Sequence, residues 1–502
     1  MPSYLSPGVY VEEVSSGSKP IEGVGTAVAA FVGFAETGPV DEPVLVTNWT
    51  QFTQNFGQFT EGAYLAHAVY AYFANGGGAA YVIRVGGGSA EQPAPTGTEL
   101  PSEGAGKPIV VRALKAPEQG RQLSVEVQEA TERGDDAFKL VVRFGDEEEV
   151  FDNVTNRRGA ANVATALRKS TLVAVEETKG ATLALPAKNT RTTIAEAPSG
   201  ALTVQDYVGD PEERTGFGTL EAIDDITMLC VPDLMTAYES GQIDMDGVKA
   251  VQLAMIAHCE LMADRVAILD PPPGLRPQQV VRWREEIAGY DSKYAALYWP
   301  WVKVADPRSG KPVFLPPSGH VAGVWARNDD TRGVHKAPAN EVLRGVTDLQ
   351  CGITRGEHDR LNPVGVNCIR FFPGQGIRIW GARTLSSDPE WRYLNVRRLF
   401  NYIEKSILTG TSWVVFEPND HFLWNSVERI ISMFLRRIWR SGALFGRTPE
   451  EAFYVKCDEE NNPPENRDAG ILTVDIGVAP VKPAEFVVFR LAQFSEGAEL
   501  KE

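Results

Sequence analysis

Between residues 26 and 304, short and wholly apolar strands alternate with amphipathic helices, and that alternation leaves few folds open. Residues 28–35 (VAAFVGFA) read as a buried strand. A helix over 62–75 follows, with Tyr64, Leu65, Ala68, Val69, Tyr72 and Phe73 on one stripe and Gly76 as its stop. Strand 81–85 completes the unit. The pattern resumes with strand 227–231, helix 248–264, strand 266–269, helix 277–288 and strand 294–304. Strands that are apolar on both faces and separated by helices predict a mostly parallel sheet with helices packed on it. The expected core is therefore a discontinuous α/β domain, 26–85 plus 208–351. A chain of 502 residues has room for two to four such domains.

Residues 86–207 interrupt the alternation. They open with GGGSAEQPAPTGTELPSEGAGKP, a low-complexity linker. Alternating strands follow (GRQLSVEVQEA, AFKLVVRFG, EEEVFDNV), with a short helix near 160–169. This predicts an inserted, outward-facing β-rich domain. From 352 to 478 the pattern becomes α+β. VNCIRFF and GIRIWGARTL flank Pro373-Gly374-Gln375-Gly376 as a hairpin. Helices 395–408 and 422–441, a strand at 413–416 between them, and strands near 453–457 and 472–478 complete the set.

Both ends of the chain are strand-like. Residues 7–14 (PGVYVEEV) and 485–491 (EFVVFRL) carry β-branched and aromatic residues, and 15–25 and 476–484 tether them. Eleven residues span up to ~36 Å, and Pro480 and Pro483 extend the rear tether. An apolar strand on a long tether folds back or completes a neighbour's sheet. Two such ends, 1–25 and 479–502, favour exchange between subunits. The residues expected to enter the exchanged ladders are Val9, Tyr10, Val11 and Val14 in front, with Phe486, Val487, Val488, Phe489 and Leu491 behind.

The formal charge of −17 argues against nucleic acid or an anionic membrane as partner. The balance is uneven. Residues 352–457 hold 15 Lys/Arg and 10 Asp/Glu, a net of +5 that leaves −22 elsewhere. On helix 422–441, Leu423, Val427, Ile431, Phe434 and Ile438 share one face. Arg429, Arg436 and Arg440 fall within ~40° of one another on the other, flanked by Arg437. A line of guanidinium groups suits ordered carboxylates on a partner.

Catalytic patterns are missing from the sequence. Gly23-Val24-Gly25 lacks the third glycine of a dinucleotide fingerprint and precedes a strand. Gly76-Gly77-Gly78 lacks the Lys-Ser/Thr of a phosphate loop, and neither GxSxG nor HExxH occurs. The six histidines show no ligand spacing, and His258 reads as a core or boundary residue. Cys230, Cys259, Cys351, Cys368 and Cys457 form no CxxC pair. They read as buried free thiols of a protein made in a reducing cytoplasm. No cofactor, metal or catalytic residue is expected. No apolar run approaches a membrane span and no signal peptide is visible, so the chain reads as soluble and unsecreted by the general export route. The one polar cluster with an enzyme-like look is the loop from Arg327 to Pro338 (RNDDTRGVHKAP), and an inter-subunit or inter-domain loop is its plainer reading.

Several ordered motifs resemble one family. YWPWVKVADP, PPSGHVAGVWARNDDTRGVHKAPAN, LNPVGVNCIRFFPGQGIRIWGARTL and WRYLNVRRLFNYIEKSI resemble the contractile tail sheath proteins, and the opening YLSPGVYVEEV resembles that family's N-terminal arm. The resemblance covers nearly the whole chain outside 86–207. It implies stacked hexameric rings around an inner tube, which shorten and widen to drive the tube through a membrane. It also implies arms paired with a neighbour's C-terminal sheet and a C-terminal domain facing the tube. The partners implied are further copies of the chain, the tube protein, baseplate and terminator or cap proteins, and an assembly AAA+ ATPase. Such a particle is assembled in the bacterial cytoplasm. A single chain with both arms is similar to phage tail, tailocin and extracellular injection-system sheaths, the last most of all. An α/β enzyme using the Arg327–Pro338 loop and a static shell protein are the competing readings.

Overall fold

The computed structural model describes residues 20–488, except residue 61 and short stretches between 87 and 201. The chain divides into two compact units, Met1–Val85 with Thr203–Glu502, and Gly86–Leu202.

The first unit is organised by nine strands. These are β1 (Val28–Gly33), β2 (Val44–Val46), β3 (Ala79–Arg84), β4 (Met228–Cys230), β5 (Val266–Leu269), β6 (Ala295–Trp299), β7 (Glu341–Val342), β8 (Val366–Phe372) and β9 (Gly376–Ile379). Their order is β7-β9-β8-β6-β5-β4-β1-β3-β2. The six from β8 to β3 run parallel. β9, β7 and β2 pair antiparallel at the edges. Every residue of β4, β5 and β6 is buried, which explains their unbroken apolar sequences. Successive residues enter opposite cores: Ala29 and Phe31 face one layer, Ala30 and Val32 the other.

Helices α1 (Leu65–Asn75) and α3 (Ser318–Arg332) pack as a pair, while α2 (Met245–Met262) contributes Val248, Val251 and Met255 to the opposite core. Two glycines set the α1–α3 spacing. A Cβ at Gly319 would lie 2.5 Å from the Ala68 Cα, and one at Gly323 2.5 Å from the Tyr72 carbonyl oxygen. The backbones are in contact where any larger residue would separate them.

The C-terminal layer holds α4 (Leu394–Gly410), α5 (His421–Arg440) and the antiparallel pair β10 (Phe453–Lys456) and β11 (Asp475–Val478). Leu399, Ile403, Val427, Ile431 and Phe434 form its core. Charge fastens it to the central layer. Arg398 of α4 pairs with Asp329 of α3 at 2.6 Å, both side chains being 3% exposed, and also donates to the Thr26 carbonyl. Lys405 bridges Asp264 at 2.8 Å and Asp224 at 3.2 Å. The second unit, taken alone, is a four-stranded antiparallel sheet (Thr190–Thr193, Leu123–Glu129, Ala137–Phe144, Glu147–Thr155) with smaller sheets and its own core around Val125, Phe138, Leu140 and Val142.

Several expectations are corrected. The hairpin placed in a C-terminal domain from residue 352 is β8–β9, and it extends the central sheet because β8 pairs parallel with β6. The central layer thus continues past residue 352. Strand 294–304 ends at Trp299, before Pro300, which lacks an N–H. Val302–Ala305 joins a separate antiparallel sheet with Pro312–Leu315 and Val346–Leu349. Residues 413–416 form no strand, because Ser412–Val414 is a 3-10 turn between α4 and α5. Cys351 is half-buried, unlike the other four thiols.

Candidate assembly surfaces

A doubly wound sheet takes ligands beyond the carboxyl ends of its strands, where the strand order reverses. Here that point lies between β1 and β4, and the chain fills it itself. Asp233, just after β4, is fully buried. Its carboxylate accepts from the amides of Phe34 (2.7 Å), Leu65 (3.1 Å) and Tyr64, and from Thr236 Oγ1 (2.8 Å). Two of these amides open α1, where an anionic ligand would otherwise dock. Burial pushes the Asp233 carboxyl up to about 6 against those bonds. Among the described residues no group of His, Cys, Asp and Glu could hold a metal ion, and no helix is long and apolar enough to cross a membrane.

The Arg327–Pro338 segment is not the loop expected. Its first six residues are the last turns of α3, and several of its side chains are committed locally. Arg327 donates to the carbonyls of Asn75 and Val342. Asn328 donates to the Lys336 carbonyl, Asp329 holds Arg398, and Lys336 reaches Glu341 at 2.8 Å. These groups tie α3 to its surroundings, and its polar sequence reflects those bonds. His258 sits buried against Phe217, with Nε2 3.3 Å from Arg265 Nη1.

The rear tether is anchored rather than free. The Phe445 amide donates to the Ala479 carbonyl and the Val481 amide to the Ala443 carbonyl, while Asn395 Nδ2 donates to the Val481 carbonyl. Glu485 then closes a clasp. Arg383 binds it through both Nε (2.9 Å) and Nη2 (2.6 Å), Asn362 Nδ2 donates at 2.8 Å, and the Tyr393 hydroxyl donates at 3.3 Å. Burial alone would raise the Glu485 carboxyl, but these donors hold it below the usual range. Immediately beyond, Phe486, Val487 and Val488 are 74%, 68% and 77% exposed. The sequence makes Glu485 the first residue of an arm, and a lone acid before an apolar run is the one local signal of its clasp. Val9, Tyr10, Val11, Val14, Phe489 and Leu491 lie outside the described residues.

The C-terminal layer's own sheet has two described strands. Among the described residues β10 and β11 pair with one another alone, leaving two outer edges. Pairs of strands are marginal by themselves. On α5 the apolar face expected from the sequence is buried, and Ile430 and Leu435 widen it. Arg429, Arg436, Arg437 and Arg440 are exposed on the other side. Arg437 is partly committed, donating to the Ile21 carbonyl.

Comparison with known proteins gives this architecture a family. The phage tail sheath protein central domain matches residues 200–385, and the phage tail sheath C-terminal domain matches 386–494. The second boundary falls after β9, in agreement with the sheet. The tail sheath protein of Burkholderia phage BcepMu is 24% identical over 97% of both chains. That of Vibrio phage KVP40 is 30% identical over 38% of this chain, and the matched stretch spans 28% of that longer relative. Among solved structures, the contracted helical sheath of the anti-feeding prophage aligns over 97% of this chain and 99% of its own, with 25% identity and a TM-score of 0.61. The contracted PVC sheath of an extracellular contractile injection system aligns over 99% of both, with 24% identity and a TM-score of 0.58. The chain belongs to the contractile tail sheath family, the structural sheath proteins of phage tails and phage tail-like injection particles.

Proposed function

We propose that this chain polymerises as stacked hexameric rings around an inner tube, linked by exchanged strands, and contracts to drive the tube through a target membrane. One observation carries the reading. A clasped tether leads into an exposed apolar segment, Phe486–Val488, and among the described residues β10 and β11 pair only with each other, in a chain with two strand-like ends. An arm of seven or eight residues adds several ladder hydrogen bonds at ~1 kcal/mol net each, plus apolar burial. It also covers edges that would otherwise invite aggregation. Val9, Tyr10, Val11 and Val14 of one neighbour and Phe486, Val487, Val488, Phe489 and Leu491 of another are the strands proposed to fill β10–β11. Linkage by main-chain bonds survives while the domains of successive rings repack, so the extended form is a kinetically held state. Arg429, Arg436, Arg437 and Arg440 face the tube in this reading, with baseplate, terminator and an AAA+ ATPase acting at other stages. The chain itself supplies no catalysis.

Deleting residues 1–14 tests the linkage. The truncated protein should fold with its central sheet intact, because that sheet is built from Val28 onward, and should form no tubes by negative-stain microscopy. Normal tubes from the truncated chain would refute strand exchange.

A further inference from the structure

The turn between α4 and α5 presents an unusual side chain. Phe416 is fully exposed and holds φ at +71°, in the left-handed region that a bulky residue rarely enters. Val415 beside it is 66% exposed, and Glu417 follows, also exposed. A strained, solvent-facing aromatic is kept only where the surroundings enforce it, and such outliers collect at contact sites. Large exposed aromatics are also the side chains that most often anchor interfaces.

The same chain carries a groove of complementary character. It encloses about 920 Å³ between β8–β9, the start of α4 and the clasped strap, with Phe372, Trp380 and Tyr393 on its walls. Its rim is basic: Arg332, Arg355, Arg370 and Lys482 stand against Asp359, while Lys336 and Glu485 on the same lining are already paired, with Glu341 and Arg383. Among the described residues, Arg370 Nε and His358 Nε2, buried in its lining, find no hydrogen-bond partner. An acceptor of negative charge would satisfy such groups.

Knob and groove cannot meet within one molecule. The groove touches Tyr393 and Asn395 at the start of α4, and Phe416 lies past its end, 17 residues or about 25 Å further along a rigid helix. A contact between two different surfaces of identical chains is heterologous, and such contacts propagate as open helices when they do not close into rings. We infer that the Phe416 turn of one copy docks into the Trp380 groove of another, with Glu417 facing the basic rim. The inference rests on the polymeric reading above. The negative charge of Glu417, set against a rim that is mostly basic, is what favours this occupant.

A photoreactive benzophenone amino acid in place of Phe416, in the full chain, tests the contact directly. Irradiated assemblies should give an intermolecular adduct on Phe372, Trp380 or the 481–485 strap of another copy. An adduct on a different protein, or elsewhere on the chain, overturns the inference. Phe416→Ser should raise the concentration needed for assembly of the chain alone by about 30-fold, the loss typical of an interface anchor. Unchanged assembly of this variant overturns the inference. Glu417→Arg should weaken assembly in the same direction, and Arg355→Glu with Lys482→Glu should restore it. Wild-type chain that never assembles would sink the polymeric reading itself and the knob with it, an outcome separate from failure of the variants alone.

Discussion

Replacing Glu485 by alanine should release the C-terminal strap while leaving the rest of the fold in place. The carboxylate takes four hydrogen bonds, two from Arg383 and one each from Asn362 and Tyr393. Arg383 and Glu485 side chains are 11% and 20% exposed, so solvent screens the pair only weakly. Hydrogen bonds to charged groups contribute ~1.5–3 kcal/mol each way of counting, and they are not additive within one cluster. A net loss of ~2–3 kcal/mol raises local opening of the strap roughly 30- to 150-fold. Hydrogen exchange at the Val481 amide, which donates to the Ala443 carbonyl at 3.1 Å, reads that opening. Glu485→Gln keeps an acceptor for Asn362 but loses the charge, and should fall between. The folded carboxyl sits below its usual range, so its contribution is present above that range and disappears only as pH falls through the lowered value. The difference between wild type and variant should therefore be constant from pH 6 to 8. An unchanged exchange rate at Val481 in Glu485→Ala would show that the main-chain bonds alone hold the strap.

Arg398→Leu strands Asp329 in a site 3% exposed and should destabilise the protein by ~3–5 kcal/mol in urea unfolding, whereas Arg398→Leu with Asp329→Leu should recover most of it. A double variant as unstable as the single would refute that origin. Burial pushes Asp233 up to about 6 and Asp270 up to about 7, both from an ordinary 3.8, so the folded state binds these protons more tightly than the unfolded one. Stability contributed by these two groups should rise as pH falls from 8 to 5, by ~1–3 kcal/mol for each. Asp270→Asn should flatten the Tm profile over that window, and an equal slope in the variant would count against the assignment. Reversing Arg429, Arg436 and Arg440 to Glu should leave Tm nearly unchanged, since all three are exposed, yet prevent assembly of extended sheath on tubes, an association that salt should also weaken. Full-length extended particles from the triple variant would place the tube contact elsewhere.

The sequence alone determined the layered core. Periodicity located β1, α1, β5 and both C-terminal helices because each buries a whole face or stripe, and burial leaves a repeating trace in residue type. The hairpin was legible from its Pro-Gly-Gln-Gly turn, and the arginine line of α5 from helical spacing. What the hairpin joins was not legible, because pairing between β6 and β8 is a choice among distant strands with equally apolar sequences. The Arg327–Pro338 run misled for a related reason: polar residues that tie two buried elements together read the same as polar residues in solvent, until their partners are known. Asp233 at the switch point, Glu485 in its clasp and the left-handed Phe416 carry no local signature at all. Each acquires its role from groups up to 199 residues away or from the backbone around it, and only the tertiary structure brings those together.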